Sequence, residues 1–185
     1  MSKQKGFTMI EMLIVISLFI ILLPTIFAIL STILRQQLRM YKIVEAKRQG
    51  DAALAFMKER ILREGIAIKN SSGATTYCES ATPPNNQYAT SNGADFRFQL
   101  IPNGSQYYYF RQTGTRIDYV TTSPALTTSL TANTVQVSNF QISCFRRTLN
   151  SPPMIQISYT VTTTDNTSTI SLPYKTKVRL LSSSP

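Results

Sequence analysis

Histidine and tryptophan are both missing from the 185 residues, and cysteine occurs only twice. The lack of histidine removes the commonest general base and the commonest transition-metal ligand. Carboxylates are scarce as well, because after residue 64 the sequence has only Glu79, Asp95, Asp118 and Asp165. CxxC, HExxH, GxSxG and phosphate-loop patterns are missing too. We therefore expect no catalytic residue, no metal site and no cofactor, and we predict that the protein is not an enzyme.

The charge is strongly unbalanced. The 19 lysines and arginines outnumber the 9 acids, which gives a formal net charge of +10. Most of these bases lie before residue 70. Such an excess attracts anionic lipid, nucleic acid or an acidic partner. The alternative interpretation is a solvated helix face with its counter-ions, and composition leaves both open.

One long apolar run dominates the N-terminal part of the chain. From Met12 to Leu34 the run is interrupted only by Ser17, Pro24, Thr25, Ser31 and Thr32. A helix of this length crosses about 30 Å of hydrocarbon. A core helix of a small soluble domain would show a polar face, and this run shows none. The run therefore predicts a membrane-spanning helix.

The residues around the start of this run do not form an ordinary secretory signal. The chain begins Met-Ser-Lys-Gln-Lys-Gly and continues with Phe7, Thr8, Met9, Ile10 and Glu11. A signal peptide has a shorter apolar centre, followed by a small-residue cleavage site. A plain membrane anchor does not account for Glu11 either, because an ionisable group inside an apolar segment is costly and needs a partner.

This N-terminus resembles the class III signal of type IV prepilins and type II secretion pseudopilins. Members of that family are cut between a glycine and a phenylalanine, and a glutamate stands four residues after the phenylalanine. Gly6, Phe7 and Glu11 match this pattern, and Lys3 and Lys5 match its short basic leader. The resemblance covers only the leader and the apolar run. It implies that a prepilin peptidase cleaves after Gly6 and methylates the new amine of Phe7.

The resemblance also implies a role for the apolar run in assembly. Cleavage on the cytoplasmic side leaves the run in the mature protein and frees a cationic amine on Phe7. Pairing of this amine with Glu11 of a neighbouring subunit would relieve two buried charges. Gly6 suits a cleavage site because it has no side chain to obstruct the backbone. Its alternative role is that of a flexible joint.

Two signals disagree about membrane topology. Five bases follow the apolar run, namely Arg35, Arg39, Lys42, Lys47 and Arg48, against two before it. The positive-inside rule alone would place the C-terminal part in the cytoplasm. The processing signal and the composition of the C-terminal part favour the opposite. We therefore predict a single-pass protein of the cytoplasmic (inner) membrane with an exported head, which later joins an extracellular or periplasmic filament.

Helical patterning continues beyond the membrane segment. Apolar residues recur at helical spacing in two groups, Leu34, Leu38 and Tyr41, and Leu54, Met57, Ile61 and Gly65. We predict one helix from about Phe7 to Ile66, with a leader over residues 1–6, a transmembrane half over 7–34 and an amphipathic half over 35–69. Pro24 should kink or loosen the first half, and Gly50 should weaken the second by about 1 kcal/mol.

A β-rich head is predicted after the helix. Residues 70–94 are rich in Ser, Thr, Asn, Gly and Pro and indicate a connecting loop. Residues 95–185 form the head, and its strands are predicted at Asp95–Ile101, Gln106–Arg111, Arg116–Thr121, Thr134–Arg146, Met154–Thr163 and Ser168–Leu181. The expected fold is therefore α+β, with a long N-terminal transmembrane and amphipathic helix packed on an antiparallel sheet, as in pilins.

The two cysteines are Cys78 in the predicted loop and Cys144 in a predicted strand. A cysteine pair in an exported domain most often forms a disulfide, which here would close a long loop. The alternative is two unrelated buried thiols. Many major pilins carry a disulfide around a C-terminal loop, and no cysteine follows Cys144. The resemblance therefore points to a minor pilin or minor pseudopilin.

The run from Tyr107 to Arg111 combines four aromatic residues with an arginine. Aromatic rings and arginine stack on bases, so the run raises the possibility of DNA contact. Alternate residues of a strand point to opposite faces, however, and two of these rings are expected in the core. DNA is therefore retained as the less favoured partner.

Together these features predict a structural subunit, minor in abundance, of a type IV pilus, a competence pilus or a type II secretion pseudopilus. The resemblance implies several partners: other pilin or pseudopilin subunits, the prepilin peptidase, the assembly ATPase and inner-membrane platform, and the lipid bilayer. The first alternative is a membrane-anchored binding module, an adhesin or DNA receptor, displayed by the same filament. The second is an unprocessed membrane protein unrelated to filaments.

Overall fold

A computed structural model describes residues 8–78, 87–100, 104–148, 151–165 and 168–180. Helix α1 spans Met9–Glu64. Nine strands follow it: β1 Ala67–Lys69, β2 Gln87–Thr90, β3 Arg97–Gln99, β4 Tyr107–Thr113, β5 Arg116–Thr122, β6 Ala125–Ser129, β7 Gln136–Phe145, β8 Met154–Asp165 and β9 Ser168–Arg179. The chain divides into two compact units, residues 1–41 and 42–185. The α+β fold class is confirmed.

Two antiparallel sheets form the second unit. One has the strand order β1-β3-β4-β5-β6 and the other the order β2-β7-β8-β9. Every pairing is antiparallel, as alternating strands with short connections predict. Alternate side chains of each strand enter the core, for example Tyr108 and Phe110 of β4 and Ile155, Ile157 and Tyr159 of β8. The prediction that two rings of the Tyr107–Arg111 run are buried is confirmed.

The C-terminal part of α1 supplies one side of this core. Its buried residues, Ala46, Gly50, Ala53, Met57 and Ile61, recur every three or four positions and form one stripe. Met57 and Ile61 were predicted on this stripe. Leu34, Leu38 and Tyr41 are exposed, because no described part of the chain covers the helix at their level.

Three strands lie where no strand was predicted. β1 lies in the segment predicted as helix, because α1 ends at Glu64, and β2 lies in the predicted loop 70–94. β6 follows β5 in a hairpin, and all five of its residues are exposed. β1 and β2 have only 3 and 4 residues, too few for alternation to be recognised in the sequence, and no residue of β6 is buried. In the described part of the predicted strand Asp95–Ile101, which ends at residue 100, β3 spans Arg97–Gln99.

Gln112 joins the two sheets at a bulge in β7. Its carboxamide nitrogen donates to Val137 O at 3.1 Å, and its carboxamide oxygen accepts from Phe140 N at 3.2 Å. Nearby, Val137 N donates to Thr115 O at 2.7 Å. The register shift of β7 lies between Ser138 and Gln141, where extra backbone groups need partners. One side chain therefore satisfies backbone groups that the sheet leaves unpaired.

The predicted disulfide between Cys78 and Cys144 is present. The two Cα atoms are 6.2 Å apart, and the bond closes a loop with a sequence separation of 66 residues. Cys144 lies in β7 opposite Tyr88 of β2, and the Tyr88 ring stacks on Tyr77 at a centroid distance of 3.6 Å. The disulfide therefore fixes the segment that follows β1 to the four-stranded sheet.

Removal of the disulfide should destabilise the protein considerably. A closed loop of this length restricts the unfolded chain by about 4 kcal/mol in the chain-entropy model. We expect Cys78→Ala/Cys144→Ala to lower the free energy of unfolding by about this amount, measured by chemical denaturation of the full chain in detergent. Reduced wild-type protein is the matched control and should lose a similar amount. A loss below about 1 kcal/mol in both would contradict the entropic account.

Candidate functional site

The first described turn of α1 contains the acid that the sequence analysis singled out. Thr8 directly precedes the helix, and Glu11 occupies its third position. Thr8 N–H and Thr8 Oγ1 both donate to Glu11 Oε2 at 3.0 Å, and Glu11 N–H donates to Thr8 Oγ1 at 3.4 Å. This reciprocal arrangement is a capping box. Because it satisfies helix N–H groups that have no intrahelical partner, it fixes the point where α1 begins.

The capping box adds hydrogen-bond donors for Glu11 that the sequence analysis did not identify. The sequence predicted that Glu11 needs a partner but did not identify Thr8, which provides two donors. The T-x-x-E spacing of Thr8 and Glu11 is itself a signature of a capping box, so the sequence contained the signal. Within the described residues no cation pairs with Glu11. The carboxylate is therefore hydrogen-bonded, but its charge is not neutralised.

The helix surface after Glu11 is apolar and uncovered. Its most apolar window has a mean hydropathy of 3.0, and none of that window is buried. Ile10 is 68% exposed and Phe27 is 65% exposed. By length and composition this is a helix that could cross a membrane. The part of the chain that the structure describes offers no surface that covers it.

The few hydroxyl groups in this stretch are satisfied by the helix itself. Ser17 donates to Ile14 O at 2.8 Å and Thr25 donates to Leu22 O at 2.7 Å. Ser31 and Thr32 both donate to Ala28 O at 2.9 Å. Hydroxyls bonded in this way expose little polarity, so lipid can surround them at low cost. Pro24 lies inside α1, which remains helical on both sides of it.

The other predicted residues of the signal, Lys3, Lys5, Gly6 and Phe7, lie outside the described residues. The chain from Thr8 onward therefore contains the described part of the site. It consists of a capped acid followed by an uncovered apolar helix.

Comparison with known proteins identifies this segment. The profile of the prokaryotic N-terminal methylation motif matches residues 1–23. The chain carries the class III signal of a type IV pilin-type precursor. This match supports processing by a prepilin peptidase and assembly with other pilins. Neither the curated proteins nor the solved structures give a match to this chain.

The second unit holds its part of α1 with tyrosine hydroxyls, which the sequence analysis did not identify. Tyr159 Oη donates to Gly50 O at 2.7 Å, Tyr174 Oη to Lys47 O at 3.1 Å, and Tyr108 Oη to Arg60 O at 3.0 Å. The first two tyrosines come from the four-stranded sheet and Tyr108 comes from the five-stranded sheet. Both sheets are therefore fixed to the helix backbone by tyrosine hydroxyls, and the bond from Tyr159 to Gly50 O is buried.

Gly50 makes one of these contacts possible. A Cβ atom at this position would lie 2.5 Å from Tyr174 Cε2. The Tyr159 and Tyr174 rings stack on each other with centroids 5.2 Å apart. The glycine allows this aromatic pair to lie directly against the helix backbone.

Burial raises the pKa of several tyrosine hydroxyls in the second unit. It raises the pKa of Tyr108 and of Tyr159 above the ordinary value, because a phenolate in the core would lose its hydration. It also raises the pKa of Tyr77 to about 12. A folded-state pKa above the unfolded value contributes stability that is complete below about pH 10 and is lost as the pH rises through the folded value.

Tyr159→Phe should remove one helix contact and part of this alkaline sensitivity. We expect the free energy of unfolding of the full chain in detergent to fall by about 1 kcal/mol at neutral pH. Above about pH 10 wild type should lose stability more steeply than the variant, because the variant has one raised pKa fewer. Tyr41→Phe is the matched control, since Tyr41 is 71% exposed. Equal stability of wild type and Tyr159→Phe at neutral pH would contradict the anchoring role.

Proposed function

We propose that this chain is a minor structural subunit of a type IV pilus, a competence pilus or a type II secretion pseudopilus. In this role a prepilin peptidase removes residues 1–6 and methylates the amine of Phe7. The observation that carries the proposal is the methylation motif on a helix whose apolar residues no described part of the chain covers. Two environments cover such a surface in turn, first lipid and then the helices of other subunits.

The localisation follows from the same helix. The pilin signal and the apolar helix fit membrane anchoring. We propose a single pass through the cytoplasmic membrane, with residues 42–185 exported. A disulfide in that unit supports export, because disulfides persist in oxidising compartments. The membrane platform and the assembly ATPase would then move the subunit from lipid into the filament.

Glu11 is proposed to set the position of each incoming subunit. The capping box keeps its carboxylate at the start of the helix but leaves the negative charge without a cation among the described residues. The methylated amine of Phe7 in a neighbouring subunit would supply that cation. Within a water-free bundle an ion pair that loses one partner costs about 3–5 kcal/mol. Misplaced subunits would therefore be rejected.

Minor rather than major status is supported by the position of the disulfide. Many major pilins have a disulfide around a C-terminal loop, whereas here it joins Cys78 to Cys144 of β7. The proposed role also requires no catalysis by this chain. Its contribution is geometric, because the helix packs into the filament and the second unit is displayed.

A second candidate function is display of the second unit as a binding module on the same filament. A specific observation favours it. Four exposed bases gather on the outer face of the four-stranded sheet, and no described acid lies among them. This face would be available to a ligand while the helix maintains assembly.

Glu11→Gln tests the assembly role with unusual selectivity. Glutamine also serves at the third position of a capping box, so the variant keeps the Thr8 contacts and loses only the charge. We expect at least about tenfold less subunit in sheared filaments, with an unchanged amount in the membrane fraction, quantified by immunoblot.

The matched control for this experiment is Glu45→Gln. Glu45 is an acid of the same helix that lies outside the apolar run, where it accepts from Gln49 Nε2 at 2.8 Å. Its neutralisation should leave incorporation unchanged. Incorporation of Glu11→Gln at the wild-type level would refute charge pairing as the assembly mechanism.

A further inference from the structure

The bases of the second unit are strongly segregated along the sequence. Between residues 119 and 185 there is a single acid, Asp165, against five bases. Asp165 pairs with Ser168 at one end of the β8–β9 hairpin, whereas Arg179 pairs with Met154 at the other end. Lys175, the nearest of the β9 bases, is opposite Ser158, seven residues along β8 from Asp165.

Strand register brings four of these bases to one face of the four-stranded sheet. Lys175, Lys177 and Arg179 alternate along β9 and are all exposed, whereas Val178 between them is buried. At about 3.4 Å per residue the three cations form a row about 14 Å long. Arg147 is also exposed and lies just beyond the end of β7. None of the four pairs with a carboxylate within the described residues.

The end of this row has an apolar hollow. The hollow is lined by Phe145, Pro152 and Met154 together with the side chains of Arg147 and Arg179. Phe145, Met154 and Arg179 are register partners across three neighbouring strands. Lys177 Nζ lies 5.8 Å from the centre of the Phe145 ring. The Phe145 ring therefore lies in a hollow that two arginine side chains also line, next to the cations of β9.

We infer that this cationic face binds single-stranded nucleic acid. The row Lys175, Lys177 and Arg179 would contact successive phosphates, and one unpaired base would enter the hollow and stack on Phe145. A duplex keeps its bases stacked inside and cannot place one in the hollow, whereas every unpaired base has a π-face that can stack on Phe145. The inference names the ligand class of the second candidate function and rests on it, not on filament assembly.

The Tyr107–Arg111 run is a weaker site for the same ligand. Tyr108 and Phe110 are fully buried, which leaves Tyr107 and Tyr109 on the opposite face of β4. There the Arg97 guanidinium lies over the Tyr109 ring at 5.4 Å, as Lys177 does over Phe145, so this contact does not distinguish the two sites. Asp118 stands opposite Arg111 across β4 and β5. Half-buried guanidinium groups beside an acid attract phosphate less than the exposed row on β9 does.

Binding can be measured by fluorescence anisotropy with a labelled oligothymidylate and the full chain in nonionic detergent. Lys175→Gln/Lys177→Gln should weaken binding about tenfold near physiological salt. It should also reduce the slope of log K against log salt by about 1.4, since each lost phosphate contact on a single strand removes about 0.7. Phe145→Leu should weaken binding about fivefold or more and leave the slope unchanged, because it removes stacking and no charge.

Two controls separate this face from non-specific attraction. Lys58→Gln/Arg63→Gln removes the same two charges from exposed positions of α1 and should change affinity less than about twofold. Tyr109→Leu removes an aromatic ring from the five-stranded sheet and should leave the affinity for the oligonucleotide unchanged. Near-ultraviolet circular dichroism checks that each variant is folded.

Several results would overturn the inference. They are undetectable binding, equal losses in the Lys175/Lys177 and Lys58/Arg63 variants, and a loss in Tyr109→Leu but not in Phe145→Leu. Preference for duplex DNA, for heparin or for anionic vesicles, with no effect of Phe145→Leu, would reassign the face to that ligand. The Lys175/Lys177 variant should still enter filaments normally, so failure of this inference is distinguishable from failure of the assembly role.

Discussion

The apolar surface of residues 9–34 is the constraint on which the rest of this molecule depends. Burial of one large apolar side chain is worth about 1.5–3 kcal/mol, and many such side chains remain exposed on this segment. No described part of the chain covers them. The segment therefore requires a surrounding phase or a set of neighbours, and the remaining features of the N-terminus are compatible with both. Its hydroxyl groups are bonded internally, and its one acid is held by a capping box.

The second unit meets the opposite requirement, since its part of α1 is covered by the chain itself. Small residues, Ala46, Gly50 and Ala53, let the sheets approach the helix closely, and tyrosine hydroxyls then donate to its backbone. The disulfide secures the segment that precedes β2. Export and display are consistent with this construction, because it is stabilised by contacts that do not depend on lipid. The cationic face lies on strands that this core holds in place.

Sequence reasoning was most successful where the spacing of apolar residues repeats over many positions. The helix, the strands β4, β5, β7, β8 and β9 and the pilin-type signal all depend on such patterns or on closely spaced residues. β1, β2 and β6 were missed because β1 and β2 are too short for a pattern to be recognised and β6 has no buried residue. The capping box of Thr8 and Glu11 was readable but was overlooked. The cationic face could not be predicted, because only the register shows that Phe145, Met154 and Arg179 are adjacent.

The central claim is that the apolar helix is kept in a processed subunit and begins with a free, methylated amine. The most direct measurement is the mass of the N-terminal peptide of this protein, isolated from the membranes or filaments of cells that make it. The account predicts a peptide that starts at Phe7 and carries one added methyl group. A functional chain that still begins at Met1 or Ser2 would contradict it.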